Sequence, residues 1–167
     1  MPRSPLQLAV IGGASCPDHH RHLALEVGRA IAMAGAVLLC GGRGGVMAAA
    51  AEGARAAGGT TVGILPGASA AETPANPHIE LAIYTGMGQA RNQILVLSAN
   101  AVIGVGGGWG TLTEIGLARK QDIPVVLVDS WQFSRPDGGE ETGLLRADDA
   151  GQAVALALQA IQTRGSI

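Results

Sequence analysis

The sequence predicts an α/β fold of the doubly wound class, with one parallel sheet covered by helices on both faces. Short apolar runs alternate with helical patterns along the chain, which is typical of strands joined by helical crossovers. Three of these runs end in glycine clusters, as expected where strands turn into helices at the ligand-binding edge of such a sheet. At 167 residues the chain fits a single domain, residues 1–167, around one core.

The elements of the first half follow from apolar runs bounded by glycines. The first helix carries an apolar stripe and stops at Gly35, where glycine favours the left-handed turn that closes many helices. The predicted elements are a strand over 6–11, a helix over about 20–34, a strand over 36–40, an alanine-rich helix that closes at 58–59 and a strand over 60–65.

The second half begins with a long loop. Residues 66–78 contain three prolines and several small residues, so they predict a surface loop that could cover the strand ends as a lid. A helix over 87–99 is apolar almost all round in its second half, which makes it the candidate for an interface between subunits. The other predicted elements are strands over 79–85, 101–105 and 124–128, a helix over 112–121, an irregular stretch over 129–143 and a closing helix over about 149–163.

The strongest candidate for a binding site is the loop that follows the strand over 101–105. It has four glycines in five positions before the start of a helix. Without side chains, several backbone N–H groups can converge on one anion, and the helix directs its positive dipole end at the same point. We therefore expect a phosphate group to be bound by Gly106, Gly107, Gly108, Trp109, Gly110 and Thr111.

Common cofactor motifs do not match the chain. A P-loop requires a lysine directly before its Ser/Thr, whereas Gly110 precedes Thr111. A dinucleotide fingerprint requires an acidic residue after the second strand, where this chain has glycines, so NAD is not expected. Pyridoxal phosphate is not expected either, because the only lysine, Lys120, falls about two helical turns beyond the loop.

Two further glycine turns are candidates for the same site. Because the carboxyl ends of parallel strands share one edge of a sheet, these turns should lie near the loop over 106–111. Close packing at that edge would equally require glycine. The residues concerned are Gly12, Gly13 and Ser15 after the first strand, and Gly41, Gly42 and Arg43 after the second.

Two charged residues are candidates for chemistry. Arg91 lies near the start of its helix, where a cation opposes the helix dipole, so we expect an anion nearby, or else a salt bridge to Glu114 or Glu80. Glu114 has two interpretations. With Thr111 it has the spacing of a capping box, which stabilises a helix start. Alternatively it lies near a ribose, where a carboxylate can stabilise positive charge or activate water.

Composition limits the partners. A net charge of −2 gives no electrostatic reason to bind nucleic acid or an anionic membrane. Charged residues make up only 14% of the chain, which predicts that part of the surface is covered in a homo-oligomer, a dimer or a tetramer. The sequence shows no signal peptide and no apolar run long enough to span a membrane, so we expect a cytoplasmic protein with Cys16 and Cys40 reduced.

Histidines and aromatic residues add two expectations. His19, His20 and His22 are not predicted to bind metal, because adjacent histidines at a helix start point in different directions and no carboxylate lies at a useful spacing. Trp109 is expected to stack on a ligand ring or to fill a groove between subunits; Trp131 and Phe133 have the same two interpretations.

Three motifs resemble the LOG-like superfamily. They are Gly-Gly-Gly-Trp-Gly-Thr-Leu-Thr-Glu at 106–114, Gly-Met-Gly-Gln-Ala-Arg-Asn at 86–92 and Gly-Gly-Arg-Gly-Gly-Val-Met at 41–47. This superfamily contains cytokinin-activating phosphoribohydrolases and a branch of molybdenum cofactor carrier proteins. The resemblance implies a Rossmann-like homo-oligomer that binds a phosphorylated heterocycle at the carboxyl ends of its strands, with Arg91 and Asn92 among the binding residues.

The motifs depart from those of the hydrolases at two points. The hydrolase signature Pro-Gly-Gly-x-Gly-Thr-x-x-Glu maps onto residues 105–114 with an extra residue and no proline, and Asn92 replaces the lysine of an Arg-Lys pair. Both departures are similar to the carrier branch, so the resemblance implies a carrier of molybdenum cofactor. The alternatives are a nucleoside 5′-monophosphate phosphoribohydrolase with Arg91 and Glu114 as catalytic residues, and a nucleotide sensor that uses the same pocket.

Overall fold

The computed structural model describes residues 4–139 and 141–164, and within them the chain folds around one seven-stranded sheet. A single 3-10 turn, Gly88–Ala90, leads into the third α-helix. The elements are β1 Gln7–Gly12, α1 Asp18–Met33, β2 Val37–Cys40, α2 Val46–Ala56, β3 Thr61–Leu65, β4 Leu81–Tyr84, α3 Arg91–Leu97, β5 Ala101–Val105, α4 Trp109–Lys120, β6 Val125–Val128, β7 Leu144–Ala147 and α5 Ala150–Arg164.

The sheet has the strand order β4-β3-β2-β1-β5-β6-β7, and every neighbouring pair is parallel. The chain winds outward from β1 to β4 and then returns to place β5 against the free edge of β1, where Gly12 pairs with Val105. This reversal confirms the predicted doubly wound, Rossmann-like fold. Ligands of such sheets bind outside the carboxyl ends of the strands at the reversal, here between β1 and β5.

Helices cover both faces of the sheet, and two apolar clusters fill the space beneath them. Helices α1, α2 and α5 enclose one cluster, and α3 and α4 enclose the other. Helices α1 and α2 approach backbone to backbone, because a Cβ on Gly28 would collide with the carbonyl of Ala50 and one on Gly53 with the carbonyl of Leu25. No helix in residues 4–139 and 141–164 combines the length and apolar character needed to cross a bilayer.

Several predicted bounds need correction. The predicted helix over 87–99 is shorter, because its first residues form the 3-10 turn Gly88–Ala90 and α3 ends at Leu97. Strand β7 was not predicted, because its four residues, Leu144–Ala147, include Arg146 and resemble the loop before them. Helix α4 begins at residue 109 instead of residue 112. Gly35 ends α1 in the left-handed region, with a φ of 71°, as predicted.

A polar cleft at the strand reversal

The carboxyl ends of β1, β2 and β5 meet beside one polar cleft. Its volume is about 420 Å³, which falls in the range of about 300–1,000 Å³ typical of small-molecule sites. The turn after β1, the turn into α2, and the first residues of α3 and α4 form its walls. The lining residues are Gly12, Gly13, Ala14, Arg43, Met47, Gln89, Arg91, Asn92, Gly108, Trp109, Gly110, Thr111, Thr113 and Glu114.

A larger hollow of about 800 Å³ lies elsewhere, between the end of α4, the starts of β6 and β7, and α5. Its lining is more apolar and includes Pro124, Val125, Leu145 and Leu156. Among the described residues, its lining includes Gly143 but no cluster of glycines and no helix start. We therefore assign the candidate site to the smaller cleft, where three strand ends and three helix starts converge.

The start of α4 differs from the sequence prediction and changes the role of Glu114. Gly108 is the N-cap, and no side chain caps the helix. Thr111 is therefore the third residue of α4, and Glu114 lies one turn further on, so the predicted capping box is wrong. The earlier start follows from Gly106 and Gly107, whose φ values of 54° and 112° turn the chain sharply after β5.

The uncapped start of α4 has a direct consequence for binding. The first residues of a helix have backbone N–H groups without partners in the helix. In α4 these are Trp109, Gly110 and Thr111, and all three line the cleft. The positive end of the helix dipole therefore faces the cleft, which is the arrangement that binds phosphate and other anions at helix starts.

The start of α2 forms the facing wall. Its N-cap is Gly45, with a φ of 60° and no capping side chain. The next N–H, that of Val46, donates to the carbonyl oxygen of Gly13 at 3.0 Å, which joins this turn to the turn after β1. A Cβ at Gly45 would collide with the backbone of Gly13 and Ala14. Glycine is therefore required for the two turns to meet.

Arg91 brings a buried cation to the cleft. The residue is only 8% exposed, and its Nη1 donates to the carbonyl oxygen of Ile64 at 2.6 Å. Its Nε is buried and has no hydrogen-bond partner in the protein. Burial lowers the pKa of Arg91 from its ordinary value, and the charge of Glu114 opposes that effect. The guanidinium remains charged, and Arg91 lines the same cleft as the uncapped start of α4.

Glu114 lies in the same cleft and is also 8% exposed. Burial raises the pKa of its carboxyl from 4.5 to about 7, and the positive charge of Arg91 opposes the increase. A carboxyl with this pKa is partly protonated at neutral pH, so it can donate or accept a hydrogen bond, and it can act as an acid or a base.

Two tryptophans meet at the mouth of the cleft. Trp109 is 77% exposed, and its ring centroid lies 5.6 Å from that of Trp131 at an interplanar angle of 46°. Trp131 does not line the cleft, and its Nε1 is buried without a partner. Trp131 and Phe133 both pack against the apolar cluster beside α3 and α4. Trp109 is therefore the aromatic ring that a bound ligand could contact.

The predicted binding residues divide into two groups. Nine of the fourteen line the cleft, and the other five are Ser15, Gly41, Gly42, Gly106 and Gly107. Gly106 and Gly107 shape the turn, and Gly41 leaves space for Arg91, because a Cβ there would collide with the guanidinium. Sequence reasoning missed Ala14, Met47, Gln89 and Thr113, although Met47, Gln89 and Thr113 lie within the quoted motifs.

The loop over 66–78 lies beside the cleft without entering it. Asn76 connects it to the turn after β2, since its N–H donates to the carbonyl of Gly42 and its Nδ2 to the carbonyl of Arg43, both at 2.9 Å. The loop is irregular, as predicted, and is attached to the segment that carries Arg43. Whether it acts as a lid is a prediction that these contacts do not test.

The fold and the polar cleft together define a Rossmann-like α/β protein. Its arginine-containing cleft lies where the strand order reverses, between β1 and β5. The sequence profile of the SLOG cluster4 family matches residues 5–156, and the chain belongs to that family. This confirms the resemblance to the LOG-like superfamily that the three motifs indicated.

The proteins similar to this chain have names that indicate different functions. A protein of Archaeoglobus fulgidus described as uncharacterized is 45% identical over 79% of this chain and 90% of its own length. A cytokinin riboside 5′-monophosphate phosphoribohydrolase of Mycobacterium tuberculosis is 38% identical over 71% of this chain and 68% of its own length. The structure of the molybdenum cofactor carrier protein of Chlamydomonas reinhardtii superposes with a TM-score of 0.83 at 34% identity, over 96% of this chain and 99% of the carrier.

Proposed function

We propose that this protein binds a phosphorylated heterocycle in the polar cleft, with the phosphate at the start of α4. One observation carries the proposal: the uncapped N–H groups of Trp109, Gly110 and Thr111 open on the same cleft as Arg91, whose Nε lacks a partner. A dianionic phosphate would accept from the backbone and from the guanidinium together. Trp109 at the mouth would then cover the ring.

Among phosphorylated heterocycles, we propose molybdenum cofactor as the ligand, so that the protein is a carrier. The structure of the Chlamydomonas carrier superposes on 96% of this chain with a TM-score of 0.83, which supports this choice. The loop entrance without proline and Asn92 in place of lysine support the same choice.

A second function is favoured by one specific observation. Glu114 and Arg91 are both buried in the cleft, and the pKa of Glu114 is raised to about 7. In a phosphoribohydrolase, water would add to C1′ of the ribose while the N-glycosidic bond breaks and the base leaves with a proton. Glu114 would stabilise the positive charge on the ribose or accept the proton of the water, and Arg91 would hold the phosphoribosyl group.

One comparison separates the two functions. Purified protein is titrated with molybdenum cofactor, with tryptophan fluorescence as the readout, and is incubated in parallel with AMP and an N6-substituted AMP, with free base measured by chromatography. Tight cofactor binding without release of base supports the carrier. Release of base that Glu114→Gln abolishes supports the hydrolase. Folded protein that does neither contradicts both proposals.

We also propose that the chain forms a homo-oligomer through the edge of the sheet at β4. Large apolar side chains are exposed there, in the turn before α3 and at the end of α3, which is unusual for a surface that faces only solvent. They are Leu81, Ile83, Met87 and Leu97, with exposed fractions of 54%, 48%, 51% and 53%.

A further inference from the structure

The fold brings together three ligating side chains that lie outside the polar cleft. His19 and His20 are at the start of α1, and Asp129 directly follows β6. The sequence prediction of no metal depended on the absence of a carboxylate near the histidines, and Asp129 supplies one from 109 residues away. A φ of 43° at Asp129 turns the chain at this point.

Two distances within the cluster are compatible with one bound ion, and the shorter of them is also a hydrogen bond between His20 and Asp129. Nε2 of His20 lies 2.8 Å from Oδ2 of Asp129, and Nε2 of His19 lies 3.3 Å from the same oxygen. All three ligating atoms lie within 4.8 Å of one another. Donor atoms bound to one ion at about 2.0–2.2 Å lie about 2.8–3.6 Å apart in tetrahedral or octahedral geometry, and the distances from Asp129 to His19 and His20 fall within this interval.

Access and neighbours also suit a metal ion. The side chains of His19 and Asp129 are 65% and 62% exposed, so an ion could enter from solvent. His20 is less exposed, and its ring packs against Gly106, where a Cβ would collide with the imidazole. An ion held here would therefore lie beside the turn that shapes the start of α4.

We propose that His19, His20 and Asp129 bind a divalent transition-metal ion of the zinc type, at a site separate from the polar cleft. Two imidazole nitrogens and one carboxylate oxygen favour zinc, cobalt or nickel over magnesium, which prefers oxygen ligands. Three protein ligands leave at least one coordination position for water or another ligand. The proposal does not depend on which ligand the cleft binds.

Full-length protein without a histidine tag tests the proposal. Zn²⁺ binding is measured by isothermal titration calorimetry, and Co²⁺ binding by visible absorption, with Mg²⁺ as the comparison ion. The variants are His19→Ala and Asp129→Asn, both at exposed side chains, with His22→Ala as the matched control because His22 is exposed on the same helix outside the cluster. Circular dichroism confirms that each variant is folded.

We expect one Zn²⁺ per chain, affinity lower by about tenfold or more in His19→Ala and Asp129→Asn, and unchanged binding in His22→Ala. Co²⁺ should give an absorption band that both ligand variants lose. Absence of binding in the natural protein would overturn the proposal and leave the three residues as a hydrogen-bonded cluster. Equal binding in all variants, or equal loss in His22→Ala, would overturn it as well.

Discussion

A side chain at Gly41 would enter the space of the Arg91 guanidinium. A Cβ built on Gly41 collides with both terminal nitrogens of Arg91 and lies close to the sulfur of Met47. The glycine turn after β2 thus places a cation, although Gly41 itself does not line the cleft.

Gly41→Ala should therefore weaken ligand binding by displacing Arg91. Loss of one charged hydrogen bond to phosphate is worth about 1.5–3 kcal/mol, or about tenfold or more in affinity. Fluorescence titration with molybdenum cofactor, the proposed ligand, measures the change. Gly116→Ala is the control, because nothing lies within 4 Å of the added Cβ. Equal affinity in Gly41→Ala and Gly116→Ala would show that the position of Arg91 does not matter for binding.

The buried carboxyl of Glu114 should make stability depend on pH. Because its pKa is raised from 4.5 to about 7, the folded state holds the proton more tightly than the unfolded state. The Glu114 contribution is therefore most favourable below pH 4.5 and is lost as pH rises to about 7, by about 3 kcal/mol at 1.36 kcal/mol per pKa unit.

Glu114→Gln removes this dependence, so its free energy of unfolding, relative to the natural protein, should increase between pH 4.5 and 7. Urea denaturation at a series of pH values measures the difference. Glu26→Gln, on α1 and outside the cleft, makes the same chemical change and should show no such trend. A parallel pH profile for Glu114→Gln and the natural protein would contradict the raised pKa.

Replacing Gly28 and Gly116 with alanine should change the free energy of unfolding in opposite directions. Gly28→Ala places a methyl group against the carbonyl of Ala50 and should lower the free energy of unfolding by about 1–3 kcal/mol. Gly116 is exposed inside α4 with open space around it, so Gly116→Ala should raise the same quantity by about 0.5–1 kcal/mol. Urea denaturation measures both. A neutral Gly28→Ala would mean that α1 and α2 are less closely packed.

The exposed ring of Trp109 should contribute to ligand affinity through its aromatic face. Trp109→Phe keeps a ring and should retain most of the affinity, whereas Trp109→Ala should lose about 0.5–1.5 kcal/mol beyond the loss of contact area. Calorimetry measures both variants, since one of the two tryptophans is removed in each. If Trp109→Ala binds as tightly as Trp109→Phe, the ring does not contact the ligand.

Self-association through the β4 edge should fail when a charge is placed there. Leu97→Glu adds a carboxylate at a side chain that is 53% exposed, and burying that charge in an interface is unfavourable. Size-exclusion chromatography with light scattering should show a smaller species than the natural protein. Met33→Glu is the matched control, since Met33 is 78% exposed on α1. If Leu97→Glu and the natural protein have the same mass, this surface is not the interface.

The sequence predicted the order of strands and helices well where the period of apolar residues was clear. Glycine turns marked the ends of β1, β2 and β5, and the switch point followed from the doubly wound class. The predicted start of α4 was three residues too late, because Thr111 and Glu114 have the spacing of a capping box. Spacing alone does not reveal that the chain turns at Gly106 and Gly107, so that the helix begins at Trp109.

Contacts between residues far apart in the sequence could not be predicted from the sequence alone. Asp129 meets His20 only because β6 lies beside β5, and β5 beside β1, so that the end of one strand reaches the helix after another. The raised pKa of Glu114 likewise depends on burial that the helix pattern of α4 does not show. Such contacts depend on which strands are neighbours. The sequence predicted the doubly wound class but not the full strand order.

The strand order also sets when the centre of the sheet can form during synthesis. β1 can pair with β2 once Cys40 has left the ribosome, but its other neighbour, β5, spans Ala101–Val105 and emerges much later. Until then one edge of the central strand has unpaired backbone groups and an apolar surface, a condition that favours aggregation. The nascent chain is therefore most vulnerable over the interval in which α2, β3, β4 and α3 are being made.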